Sequence, residues 1–258
     1  MQITAQSDGL DSSMTDMTTQ GRGHPLRESR AAEARSWKAA TIVEDLMKAV
    51  LALSLVLLAG LLGAAAPHQG PSDIDARVQA FLESHRGSWY DMNVPEADGR
   101  EMYRIIVENK YRSALEIGTS TGHSGIWIAW ALSKTGGKLI TVDIDGDRRQ
   151  QALANFKAAG VASYIDSKLG DAHEIVPALP GPFDFVFSDA DKDWYINYAK
   201  AVLPKLSVGG CLVSHNVSER GWGYSGEYLR FLRSQPDLET TVFTRGGGMS
   251  ISFKRAPK

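Results

Sequence analysis

Cysteine is nearly absent. Cys211 is the only one in 258 residues, so no disulfide can form within the chain and a multi-thiolate metal site has no donors. It sits in the apolar run GGCLVS and reads as a small core residue. Net charge is also scarce. With 28 basic against 30 acidic residues the balance is −2, so no basic field points to nucleic acid. Internal repeats are missing. The dinucleotide pattern G-x-G-x-x-G is missing too, because the relevant glycines are Gly118, Gly122 and Gly125, and no lysine follows them as a phosphate-binding loop would require.

Long apolar runs are confined to one place. Residues 49–66, AVLALSLVLLAGLLGAAA, carry no charge. The run is long enough to span a bilayer. It also reads as a secretory signal starting at Met47-Lys48, with cleavage after Ala65. The expected organisation is a disordered tail over 1–48, a signal peptide or membrane anchor over 49–66, and one domain over 67–258. A membrane-anchored or exported protein follows. Arg30, Arg35, Lys38 and Lys48 precede the run, which by the positive-inside rule puts the domain outside the cytoplasm; an anchor on the cytoplasmic face, against that charge bias, is the alternative.

Beyond residue 70 the pattern alternates. Ile74, Val78, Phe81 and Leu82 repeat at helical spacing, as do Met102, Ile105 and Ile106. Strands are expected near 113–117, 138–143, 164–168, 183–188 and 209–214. Helices are expected near 123–134, 147–159, 173–179, 193–205 and 224–234. The runs 238–244 and 249–254 are joined by Gly246-Gly247-Gly248 and read as an antiparallel hairpin. The fold class is therefore α/β, a doubly wound and mostly parallel seven-stranded sheet with an antiparallel last strand and extra N-terminal helices.

Two acids mark the strand tips. ALEIGTSTGHSG puts Glu116 at the end of the first strand before a glycine turn and a helix, and LITVDID puts Asp143 at the end of the second. Ligands of such sheets bind beyond the carboxyl ends of the strands, and an acid there suits ribose hydroxyls. The site expects a nucleoside, uncharged or cationic. One decoy is present: Gly118-Thr119-Ser120-Thr121-Gly122 fits G-x-S-x-G, and Asp189 and His215 follow in hydrolase triad order.

The chain from about Trp89 onward resembles the catechol and caffeoyl-CoA O-methyltransferases. The blocks that carry the resemblance are YDMNVPEADG, ALEIGTSTGHSG, ITVDID, FDFVFSDADKDWYINY and GGMSISFKR, in that order. The resemblance implies a class I enzyme using S-adenosylmethionine and a divalent metal. It implies cofactor contacts at Asn93, Val94, Glu116, Gly118, Ser120, Ser124, Asp143, Ala172, His173 and Asp189. Lys192 matches the general base. Tyr90, Met92, Trp194 and Trp222 are expected to flank a flat acceptor.

The metal site departs from the pattern. Where the family has Asp-Asn after the fifth strand, this chain has His215-Asn216. Asp189, His215 and Asn216 are expected to hold the metal, as magnesium or as a softer manganese, iron or zinc ion. A weakened magnesium site at Asp189 and Asn216, or loss of the metal with His215 as a base, are the alternatives. The expected activity is metal-assisted methyl transfer to a hydroxyl of a small, catechol-like aromatic acceptor. The competing readings are a metal-independent methyltransferase and an exported, non-catalytic nucleoside-binding protein. A homodimer and a membrane contact through 49–66 complete the expected partners.

Overall fold

The computed structural model describes residues 46–48, 71–89, 92–220 and 223–257. The tail and the apolar run 49–66 lie outside the described residues, as do Tyr90 and Trp222. Among the described residues no helix is long and apolar enough to cross a membrane. The compact unit Gln69–Lys258 carries everything that follows.

The elements are α1 (Pro71–Ser84), α2 (Glu96–Asn109), β1 (Ser113–Ile117), α3 (His123–Thr135), β2 (Lys138–Asp143), α4 (Gly146–Ala159), β3 (Ile165–Leu169), α5 (Ala172–Ala178), β4 (Phe183–Ser188), α6 (Tyr195–Val202), β5 (Leu206–His215), α7 (Tyr224–Ser234), β6 (Leu238–Phe243) and β7 (Met249–Lys254). Among the described residues they form one seven-stranded sheet in the order β3-β2-β1-β4-β5-β7-β6. The pairs from β3 to β5 are parallel, and β7 runs antiparallel to both β5 and β6. The strand order reverses at β1, which lies between β2 and β4, so the switch point falls at the tips of β1 and β4.

Alternation along the central strands explains why both sheet faces are covered. Phe185 and Phe187 of β4, with Cys211 and Val213 of β5, pack on Met102, Ile105 and Ile106 of α2 and Ile128 and Leu132 of α3. Val186 and Leu212 point the other way, onto Tyr195, Tyr198 and Val202 of α6 and Tyr228, Leu229 and Leu232 of α7. A third cluster joins Ile74, Val78 and Phe81 of α1 to Trp127 and Trp130 of α3 and Phe156 of α4. Each buried large side chain contributes about 1.5–3 kcal/mol relative to exposure.

Two boundaries differ from the sequence expectation. The helix expected over 193–205 is divided into a 3₁₀ turn at Lys192–Trp194, α6, and a second 3₁₀ turn at Leu203–Lys205. Pro204 lacks the N–H that would continue the helix. The strand expected from 209 begins at Leu206, and its pairing with β4 shifts register between Phe183 and Phe185. Gly209 and Gly210 conceal this strand start in the sequence, because two adjacent glycines read as a turn.

Candidate active site

A cavity of about 900 Å³ opens at the switch point. Its wall includes Met92, Asn93, Gly118, Ser120, Ser124, Asp143, Ala172, His173, Asp189, Lys192, His215 and Asn216, so most of the residues singled out from the sequence come together there. Arg148, which is on the wall, and Asp98, which contacts His215 from behind it, were not among them.

The nucleoside half is built by the turn after β1. Gly118 has φ +96°, and a Cβ there would lie 2.9 Å from the Asp189 carbonyl oxygen. Only glycine lets the β1 turn pass so close to the tip of β4. The Asp143 carboxylate fastens the turn by accepting from the Ser120 N–H at 2.6 Å and from the Asp145 N–H at 2.8 Å. Asp145 in turn caps α4 by accepting from Asp147 and Arg148. Met92, Ser120 and Asn216 all line the cavity with positive φ, and such strain gathers at functional sites.

Glu116 is fully buried at the end of β1. Thr141 donates to its Oε2 at 2.6 Å, while Oε1 meets no donor among the described residues. Burial pushes the carboxyl up to about 8, against the pull of the Ser124 and Thr141 hydroxyls. An orphaned buried acceptor fits a ligand that brings an ammonium group. The residues present therefore fit S-adenosylmethionine: an acid at each strand tip, with hydroxyls at Ser120 and Ser124.

Three expected contacts, Glu116, Val94 and Trp194, are not on the cavity wall. The Val94 side chain is in the core, and its carbonyl accepts from His123 Nδ1 at 2.9 Å. Trp194 stands beside the cavity with its ring 4.2 Å from that of His173. Asp191 is 3.0 Å from His173 Nε2 and accepts from Tyr198 at 2.7 Å, which fixes the histidine at the rim. The hydrolase triad is not assembled. The Ser120 hydroxyl accepts from Arg148 at 3.3 Å, and both nitrogens of His215 are engaged by carboxylates.

The chemical half lies at the tips of β4 and β5. Lys192 Nζ pairs with Asp189 Oδ1 and lies 2.9 Å from the Tyr195 hydroxyl. That hydroxyl is 3.1 Å from the carbonyls of Ser188 and His215, so it ties the two strand tips together under the lysine. His215 Nδ1 is 3.1 Å from Asp189 Oδ2, and Nε2 is 3.0 Å from Asp98 Oδ2. Burial disfavours a charged ring here, but the hydrogen bonds and charges of Asp189 and Asp98 outweigh it and carry His215 up to about 9.

The expected metal ligands Asp189, His215 and Asn216 all lie on the cavity wall, with Asp189 already paired to Lys192 and His215. The carboxylates of Asp189 and Asp98 face opposite nitrogens of the His215 ring. Among the described residues no group of three or more His, Cys, Asp and Glu side chains is placed to hold a metal ion. Asp98 had one signal in the sequence. It stands four residues before Met102 and seven before Ile105, which places an acid on the apolar stripe of α2.

The profile of the O-methyltransferase family matches residues 76–225, more than half of the chain, and the chain belongs to that family of class I S-adenosylmethionine-dependent enzymes. It is 39% identical over 114 residues to a catechol O-methyltransferase of Niastella koreensis, covering 43% of this chain and 51% of that one. The chain thus spans about half the length of that relative. It is 33% identical over 185 residues to caffeoyl-CoA O-methyltransferase 1 of Eucalyptus globulus, covering 63% of this chain and 75% of that one. Among solved structures, the O-methyltransferase TomG of Streptomyces achromogenes in complex with SAM is 25% identical, with a TM-score of 0.60 over 70% of this chain and 90% of that one. An O-methyltransferase of Bacillus cereus in complex with SAH, 21% identical with a TM-score of 0.61 over 70% and 91%, shares the fold.

Proposed function

We propose that this protein transfers a methyl group from S-adenosylmethionine to a hydroxyl of a small aromatic acceptor of the catechol type. The observation that carries the reading is the continuity of one cavity from Asp143 and Ser120, on the nucleoside side, to Asp189 and Lys192 on the other. The relatives named as catechol and caffeoyl-CoA methyltransferases support an aromatic acceptor. So does the rim, where the exposed side chains of Met92 and Trp194 offer apolar surface for a flat ring.

S-adenosylmethionine supplies a methyl carbon on a sulfonium, an electrophile with a good leaving group. The chain must then supply position and a proton acceptor. Glu116, Ser124 and Gly118 would hold the methionine end, and Asp143 the ribose. Lys192 takes the proton of the acceptor hydroxyl. The acceptor oxygen forms the new bond to carbon, and the carbon–sulfur pair stays on sulfur. Tyr195 and Asp189 aim the lysine by holding its nitrogen from two sides. The apolar run 49–66 supports a membrane-anchored or exported enzyme, which cell fractionation and N-terminal sequencing would test.

The direct test is transfer of labelled methyl from S-adenosylmethionine to catechol, with calorimetric binding of the cofactor as the parallel readout. Binding with transfer supports the proposal. Absence of cofactor binding would sink it and favour a non-catalytic descendant of the fold.

A further inference from the structure

The charges on the cavity wall are uneven. Among the described residues the wall carries five aspartates, Asp143, Asp145, Asp171, Asp189 and Asp191, and one arginine, Arg148. Acids suit the ribose hydroxyls, the sulfonium and the ammonium of S-adenosylmethionine. They do not suit its carboxylate, which like charges at close range repel. That carboxylate calls for a cation. Lys192 is engaged with Asp189 at the tip of β4, on the acceptor side. Arg148 stands on the nucleoside side, beside the turn that would hold the methionine end.

Arg148 is placed by α4. Asp145 caps the helix, and its carboxylate lies 3.6 Å from Arg148 Nε. The other end of the guanidinium reaches the β1 turn, where Nη1 donates to the Ser120 hydroxyl at 3.3 Å. Asn155, seven positions further along the same face of α4, donates to the Thr121 carbonyl at 2.9 Å. Thr121 in turn donates to Asn93 at 3.1 Å. The helix thus grips two successive residues of the turn, and Ser120 is held there at φ +48°, a conformation few residues with a side chain adopt. At 3.3 Å the bond from Arg148 to Ser120 is a long one. A carboxylate is a stronger acceptor for a guanidinium than a hydroxyl is.

A second cavity of about 440 Å³ adjoins the first and shares Asn93 and Arg148 with it. Thr121, Gln151 and Asn155 line it as well, and among the described residues its wall carries no acid. The wall shared by the two cavities therefore offers a negative group a cation and amides in place of carboxylates.

We propose that Arg148 receives the carboxylate of S-adenosylmethionine and makes the site select the intact amino-acid end of the cofactor over decarboxylated or truncated forms. The inference rests on the methyltransferase reading of the same site. Gly118 and Ser124 hold the methionine end from the β1 turn and the start of α3, and Arg148 closes on it from α4. A guanidinium meets a carboxylate with two parallel hydrogen bonds, which fix its direction as well as its position.

The test is calorimetric and uses the full chain with no acceptor present. The ligands titrated are S-adenosylmethionine, S-adenosylhomocysteine, decarboxylated S-adenosylmethionine and methylthioadenosine. The last two lack the carboxylate, and methylthioadenosine lacks the whole amino-acid end. The wild-type chain should bind S-adenosylmethionine at least about tenfold more tightly than its decarboxylated form. Arg148→Met should weaken the two carboxylate-bearing ligands by about 10–100-fold, the usual cost of losing a hydrogen bond to a charged group, and leave the other two within about twofold. Unchanged affinity for methylthioadenosine shows that the turn and the fold persist in the variant. Arg148→Lys keeps the charge without the planar fork and should recover part of the loss. S-adenosylmethionine bound equally by the wild-type chain and Arg148→Met would overturn the inference. So would an equal loss for every ligand, which would make Arg148 a prop for the Ser120 turn. Failure of every ligand to bind the wild-type chain would strike the methyltransferase reading, and the inference with it.

Discussion

Two residues decide how this site responds to its solvent and its substrate. Glu116 keeps its proton up to about pH 8 in the folded chain, against an ordinary value of 4.5. Between those limits the unfolded chain has lost a proton that the folded chain retains, so stability falls as pH rises through the window and is greatest below it. The thermal midpoint of the cofactor-free protein should therefore drop from pH 5 to pH 8, and Glu116→Gln should flatten that slope. A slope unchanged in the variant would assign the effect to other groups. Lys192→Met should lower kcat by about 10²–10⁴-fold while the calorimetric affinity for S-adenosylmethionine stays the same. Equal loss of both would move Lys192 from chemistry to binding. The strand-tip acids and Lys192 were legible in the sequence because local motifs place them. The contact of His215 with Asp98 was not, since no local pattern links positions so far apart in the chain.

At the scale of elements, α2 and α3 pack closely enough to forbid a side chain between them. A Cβ on Gly99 would lie 2.3 Å from the Trp127 ring, which is buried and donates to His123 Nε2 at 3.2 Å. Gly99→Ala should destabilise the protein by about 1–3 kcal/mol through overpacking, measured as a lower denaturant midpoint with an unchanged slope. A neutral result would mean that α2 can move away from α3, and Asp98 on the same helix would move with it. Helical and strand periodicities were clear where one face is buried, as in α2, β4 and β5. They failed at Pro204 and at Gly209-Gly210, where the chain turns or starts a strand without a change in apolar pattern.

At the scale of the molecule, the unit Gln69–Lys258 contains the sheet, its three clusters of core residues and every described wall of the cavity. A fragment of residues 69–258 should unfold in one cooperative transition and bind S-adenosylmethionine with the affinity of the full chain, compared by calorimetry. Weaker binding by the fragment would give the preceding residues a part in the site. The succession of the first five strands along the chain followed from the alternation of apolar runs and loops, and the antiparallel final hairpin from its glycine turn. The insertion of β7 between β5 and β6 did not, because pairing partners along a sheet leave no mark in a single sequence.

That insertion also sets a schedule for assembly. The carboxylate of Asp98 waits for an N–H 149 positions further along the chain, in the loop that leads into the last strand. The nucleoside half needs β4 beside β1, where Gly118 packs on the Asp189 carbonyl, and the acceptor half further needs β7 between its neighbours. Contacts of such long range form late. A nascent or truncated chain ending before Met249 would hold a nucleoside turn and no finished acceptor pocket, so the protein cannot act on an acceptor before its own sheet is complete.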